Sequence, residues 1–327
     1  MFASAAPAGA TGPFEAAVAA DDSGNPKEAR RLYEALLAAE PQHGRALINL
    51  GILDVREHQA AKGRARCEQA LTIDARAAKA HYCIGIALVA ERQAERAEKE
   101  FQRALELDAD APAPNVELGH LHRQAKRYDQ AIAAYRAAVR TLPDDADLHV
   151  HLGYCYKELG QWEAAEIEYR KAVQKNALSF HGHLNLGFVL SRQKKWDDAA
   201  KEYTTATQLD DKAPEPEFNL GNLEGRRGNA EAALEHYRRA ASLAPKDVSY
   251  GISYARALWG RKDQEAARAE VQRLLALSPN AEQDRALHAL LDEIEGNRKP
   301  RTVTPNAPST PEPKASPSPS AGRAPTP

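Results

Sequence analysis

The stretch LGHLHRQAKRYDQAIAAYRAAVRTLP, residues 118 to 143, holds two runs of apolar and small residues at helical spacing, separated by a short polar break and closed by Pro143. Good helix formers fill both runs, and proline, which has no amide N–H to give, stops the second. Shifting the stretch by 34 residues in either direction finds the pattern again. A small residue stands at Ala29, Gly63, Ala97, Ala131, Ala165, Ala199, Ala233 and Ala267. Four positions on, along the same helical face, come Tyr33, Cys67, Phe101, Tyr135, Tyr169, Tyr203, Tyr237 and Val271. A third column reads Ala70, Ala104, Ala138, Ala172, Ala206 and Ala240, with Leu36 and Leu274 in the end periods. Earlier in each period a pair recurs as Leu50-Gly51, Ile84-Gly85, Leu118-Gly119, Leu152-Gly153, Leu186-Gly187 and Leu220-Gly221, with Ala16-Ala17 and Tyr254-Ala255 at the two ends. Pro41, Pro143, Pro245 and Pro279 close four of the eight periods.

The small columns fall where two helix backbones must approach, and the ring column fills the space beside them. Each period is therefore predicted to be a helical hairpin, broken at polar turns such as Leu159-Gly160-Gln161 and Arg227-Gly228-Asn229. One hairpin leaves an apolar face uncovered, so neighbours must stack into a one-dimensional array. Ala286, Leu287, Leu290, Leu291 and Ile294 lie at helical spacing before Gly296 and predict a helix over 282–297 that caps the last hairpin. Beyond it, nine prolines between residues 300 and 327, with almost no large apolar residue, predict a disordered tail.

The spacing of Leu118-Gly119, Ala131, Tyr135, Ala138 and Pro143 resembles the tetratricopeptide repeat. The resemblance covers residues 10–281 as eight units: 10–43, 44–77, 78–111, 112–145, 146–179, 180–213, 214–247 and 248–281. It implies an all-α fold, a right-handed superhelical solenoid of stacked antiparallel helical hairpins with a C-terminal capping helix at 282–297. Residues 1–9 are expected to be a flexible start and 298–327 a disordered proline-rich tail.

Composition narrows the function. Lys and Arg total 44 against 46 Asp and Glu, a net charge of −2, so no cationic excess exists to neutralise nucleic acid or an anionic membrane surface. No apolar run reaches the length of a membrane span, and the first dozen residues have neither the basic start nor the apolar stretch of a secretory signal. Cys67, Cys83 and Cys155 are few, scattered and odd in number, which predicts unpaired thiols and a cytoplasmic protein. His120 and His122, His149 and His151, His181 and His183 are spaced i, i+2 and point about 200° apart on a helix, so no pair closes on one metal ion. Neither a nucleophile beside a positioned base nor a phosphate-cradling glycine loop is present. The expectation is a non-enzymatic protein without cofactor or metal.

By resemblance, the first helix of each hairpin lines a concave groove that holds ligands. That face carries triplets spaced i, i+4, i+7: Ile48, Ile52 and Val55 in the second repeat, and onward to Phe218, Asn222 and Gly225 in the seventh. The residues expected to bind are Tyr82, Ile86, Val116, His120, Arg123, Val150, Tyr154, Lys157, Leu184, Phe188, Arg192, Phe218, Asn222 and Arg226. They make an apolar and aromatic floor with a basic edge. Asn49, Asn185 and Asn219 form a further column, read as bonding to neighbouring turns. Chaperone-binding relatives clamp a terminal carboxylate with Lys and Asn on the first hairpin; here those places hold Phe14 and Val18, or Ile48 and Ile52. The implied function is a scaffold or adaptor capturing an extended peptide segment. Its rivals are a chaperone-like assembly or secretion factor and a regulatory subunit of a separate enzyme.

Overall fold

The computed structural model describes residues 12–277 and 281–296. The start at 1–9 and the tail at 298–327 lie outside the described residues. Among them are seventeen helices and no strand. The chain divides into two compact units at Leu148 and His149.

The first unit contains α1 (Pro13–Asp22), α2 (Pro26–Ala39), α3 (Gly44–Arg56), α4 (Ala60–Ile73), α5 (Ala78–Ala90), α6 (Ala94–Leu107), α7 (Pro112–Gln124), α8 (Tyr128–Thr141) and the start of α9 (Ala146–Glu158). α1/α2, α3/α4, α5/α6 and α7/α8 pair as hairpins, and α2 meets α3, α4 meets α5 and α6 meets α7. The second unit contains the rest of α9 with α10 (Trp162–Lys175), α11 (Phe180–Arg192), α12 (Trp196–Leu209), α13 (Pro214–Arg227), α14 (Ala230–Leu243), α15 (Val248–Gly260), α16 (Gln264–Leu275) and α17 (Ala281–Ile294). There α11/α12, α13/α14 and α15/α16 pair, successive hairpins stack, and α17 packs on α16.

The repeating columns explain the pairing. Tyr33, Phe101, Tyr135, Tyr169 and Tyr203 are all buried, each ring except Tyr33's lying against the glycine of its own hairpin. A Cβ on Gly187 would stand 2.8 Å from the Tyr203 ring, so the side chain must be missing for the helices to close. The ring hydroxyls end beneath the first helix: Tyr135 meets His120 Nδ1 at 2.8 Å, and Tyr237 donates to Asn222 Oδ1 at 2.9 Å.

The loop inside every hairpin turns at one residue in the left-handed region, at 34-residue intervals. It is Gly24, Gly160 and Gly228, with φ from 70° to 84°, and His58, Arg92, Lys126, Lys194 and Lys262, with φ from 57° to 66°. Gly296 keeps the register, so α17 ends as the first helix of every hairpin ends. Ion pairs tie successive hairpins within each unit. Arg64 reaches Glu91 at 3.2 Å and Arg127 reaches Glu98 at 2.7 Å; in the second unit Lys195 reaches Glu166 at 2.8 Å. The fully buried Asp54 draws Arg30 to 2.8 Å and Arg66 to 2.6 Å, binding α2, α3 and α4 together.

The second repeat departs from its neighbours. Cys67 stands in the ring column and Gly63 in the alanine column, so α3 and α4 touch backbone to backbone. A Cβ on Gly63 would lie 2.5 Å from the Gly51 carbonyl oxygen. The freed space is taken by a disulfide between Cys67 and Cys83, with Cα atoms 6.2 Å apart, an ordinary span for such a bond. This corrects the expectation of unpaired thiols: Cys67 and Cys83 are bonded to each other, and Cys155 is a buried thiol in the second unit.

Candidate functional site

Within each unit the first helices of the hairpins carry the residues expected to bind. In the first unit α3 and α5 form one apolar surface. Ile48 and Ile86 sit in the core, and Ile52, Val55, Tyr82 and Val89 pack over them, half-buried. The Tyr82 ring lies 6.0 Å from that of Phe101. On α7, Val116, His120 and Arg123 are half-buried. Burial, and then the charge of Arg123, push the His120 imidazole down to about 4, so at neutral pH it is uncharged. Burial also pushes the Glu117 carboxyl up to about 7 and raises the nearby Tyr82 hydroxyl. Glu117 was missed from sequence; its signal is a carboxylate in the column that holds Asn49, Asn185 and Asn219.

In the second unit the face is aromatic and cationic. Tyr154 on α9 and Phe188 on α11 are half-buried, and Lys157 Nζ lies 4.6 Å from the centroid of the first ring and 5.5 Å from the second. Lys157 is only 6% exposed, and its ammonium lies 3.1 Å from the Glu158 carboxylate. Trp162 at the start of α10 brings its ring to 6.4 Å from Phe188, and the exposed Arg192 guanidinium lies 5.2 Å from the Trp162 centroid. Trp162 was not among the sequence candidates, because it follows the hairpin turn and belongs to no groove triplet. Cations over ring faces are held by the ring quadrupole while keeping donors for another group.

Other candidates are placed differently. Leu184 is 2% exposed and Phe218 5%, its ring 5.2 Å from Tyr250 and 5.8 Å from Tyr237, so both are core residues. The i, i+4 spacing that nominated them cannot tell whether the next hairpin covers a position. Val150 and Asn222 are half-buried, and Arg226 is exposed.

The histidines face carboxylates. His81 Nδ1 is 2.8 Å from Glu100, His149 Nδ1 2.6 Å from Glu168, and His183 Nδ1 2.6 Å from Glu202, each bond joining the two helices of one hairpin. Among the described residues no group of three or more His, Cys, Asp or Glu is placed to hold a metal ion, and no helix is long and apolar enough to cross a membrane.

Residues 14–53, 116–180, 156–214, 184–248 and 218–282 match the family model for the tetratricopeptide repeat. The chain belongs to the tetratricopeptide-repeat family. Repeats of this family mediate protein–protein interactions and are generally non-catalytic scaffolds. No curated protein matches. Solved tetratricopeptide structures resemble it. YrrB, described as having an unusual peptide-binding site, is 23% identical with a TM-score of 0.53, over 60% of this chain and 97% of its own. PilF of Pseudomonas aeruginosa is 19% identical with a TM-score of 0.55, over 63% and 94%. PilW, a type IV pilus biogenesis factor, is 15% identical with a TM-score of 0.56, over 64% and 98%. At identities this low the likeness shows the fold alone.

Proposed function

We propose that this tetratricopeptide protein, whose eight repeats we take as residues 10–281, captures an extended segment of another polypeptide on the first-helix face of a unit. The aromatic cluster of the second unit selects a segment with an acidic side chain beside an apolar one. The carrying observation is the arrangement of Lys157 and Arg192 over Tyr154, Phe188 and Trp162. Half-buried rings give an apolar anchor at small entropic cost, and the exposed Arg192, held against Trp162, selects a carboxylate, while Lys157, paired with Glu158, supports the rings from beneath. In the first unit, Tyr82, Val116 and His120, backed by the buried Ile86, offer an apolar, uncharged floor beside Arg123.

The protein is read as non-enzymatic and without a cofactor, with neither nucleic acid nor membrane as its partner. A cytoplasmic site of action was expected from the scattered cysteines; the buried Cys67–Cys83 bond favours an oxidising compartment instead.

Fluorescence anisotropy with a panel of labelled extended peptides, matched in length and varied in acidic and apolar content, tests the reading. Peptides pairing an acid with an apolar residue should bind best. The Tyr154→Ala, Phe188→Ala double variant should lose about 2 kcal/mol, roughly thirtyfold, at unchanged helical circular dichroism. Equal binding by acid-free peptides, or full binding by the variant, would refute it.

A further inference from the structure

Three residues that break their columns meet at one place in the first unit. Gly63 replaces alanine, Cys67 replaces the ring, and Cys83 takes the position that is Asn49, Asn185 or Asn219 in other repeats. None of these changes suits an ordinary hairpin alone, since a lost ring leaves unfilled space and a lone buried thiol fills little of it. Together they make a fitted set. Gly63 lets α4 close on Gly51, and the two sulfurs occupy the remaining volume, with both cysteines fully buried. A Cβ on Gly51 would be 2.5 Å from Cys67 Sγ and 3.1 Å from Cys83 Sγ, so the sulfurs are packed against the backbone of α3.

The bond joins α4 of one repeat to α5 of the next. In hairpins such as α5/α6 and α7/α8 a buried ring packs the two helices together; here a covalent link ties α4 to the first helix of the next hairpin. α5 is also the helix that bears Tyr82, Ile86 and Val89, the apolar centre of the face described above for the first unit. We propose that this face is completed by oxidation. Cys67 and Cys83 give two electrons and two protons to a disulfide-bearing oxidant, which leaves as two thiols, and the new S–S bond fixes α5 against α4. A dithiol reductant reverses the exchange, cleaving the bond, restoring two thiols and releasing α5. The consequence for ligand capture rests on the function proposed above; the thiol chemistry and the loosening of α5 do not.

The test uses the full chain purified without reductant. Maleimide labelling under denaturing conditions should add one group by mass, at Cys155, and three after reduction. Hydrogen–deuterium exchange with dithiothreitol should then quicken by roughly tenfold or more across residues 60–90 and stay unchanged across 180–243. The Cys67→Ala, Cys83→Ala double variant should show the fast pattern with or without reductant. Three adducts before reduction, or exchange over 60–90 that ignores dithiothreitol, would overturn the proposal. So would reduction that speeds both segments alike, since it would make the bond a support of the whole chain. A failure of peptide binding alone would leave these readouts intact and bear on the earlier proposal only.

Discussion

His236 Nδ1 lies 2.7 Å from a carboxylate oxygen of Glu217, with histidine on the second helix of its hairpin and glutamate on the first. Three other hairpins hold the same bond the other way round, with His81, His149 and His183 on the first helix and Glu100, Glu168 and Glu202 on the second. In these four hairpins the packing joins one imidazole and one carboxylate across the gap and is indifferent to which helix brings which.

That indifference can be tested by exchange. His149→Glu sets two carboxylates across the gap and should lower stability by about 1–2 kcal/mol, and adding Glu168→His should recover most of it. Burial raises the Glu168 carboxyl, but the hydrogen bonds from His149 and Lys171 outweigh it, and the net shift is downward. A carboxyl depressed in the folded state adds stability that is full above its unfolded value, near ~4.3, and fades as pH falls through the folded one. Melting temperatures at neutral pH should rank wild type and the double variant together above the single variant, with the gap narrowing in acid. A double variant no better than the single one would refute the exchange.

The left-handed loop residue gives a second prediction. Arg92 and Lys126 hold φ of 61° and 57°, where a Cβ is strained, while Gly228 holds 84° without that penalty. Arg92→Gly and Lys126→Gly should each raise stability by up to about 1 kcal/mol, and Gly228→Ala should lower it by about as much. Chemical denaturation would show the opposite signs; a loss at Arg92→Gly would mean its side chain contributes more than its backbone strain removes.

Two buried tyrosines should answer differently to loss of their hydroxyls. The Tyr135 hydroxyl is bonded to His120, whereas that of Tyr169 is buried without a partner among the described residues. Tyr135→Phe should cost about 1 kcal/mol, and Tyr169→Phe should be neutral or stabilising. Equal losses in thermal melts would show that the Tyr169 oxygen is satisfied.

The hairpins were legible because Gly, Ala and ring residues must occupy fixed places wherever two helices touch, and that demand repeats every 34 residues. The cystine was not, because Cys67 and Cys83 lie in different helices of different repeats, and only the coincident loss of alanine at Gly63 and ring at Cys67 marks the place. Lys157 and Trp162 show the same limit at the candidate site. Whether a side chain is covered by the neighbouring hairpin is set by stacking, to which spacing within one helix is blind. The left-handed turns were readable at Gly160 and Gly228, where glycine announces them, and hidden at Arg92 and Lys126, where the surrounding helices impose the conformation.

The recurring turn also tells a designer where this chain can be spliced. Because α17 leaves through Gly296 at φ 76°, in step with the turns at Gly24, Gly160 and Gly228, its end offers the same junction that every second helix of the chain already accepts. A segment such as Asn229–Leu243, grafted directly after residue 296, would arrive with the direction and phase it has in its own repeat. The array could then be lengthened one hairpin at a time without designing a new loop.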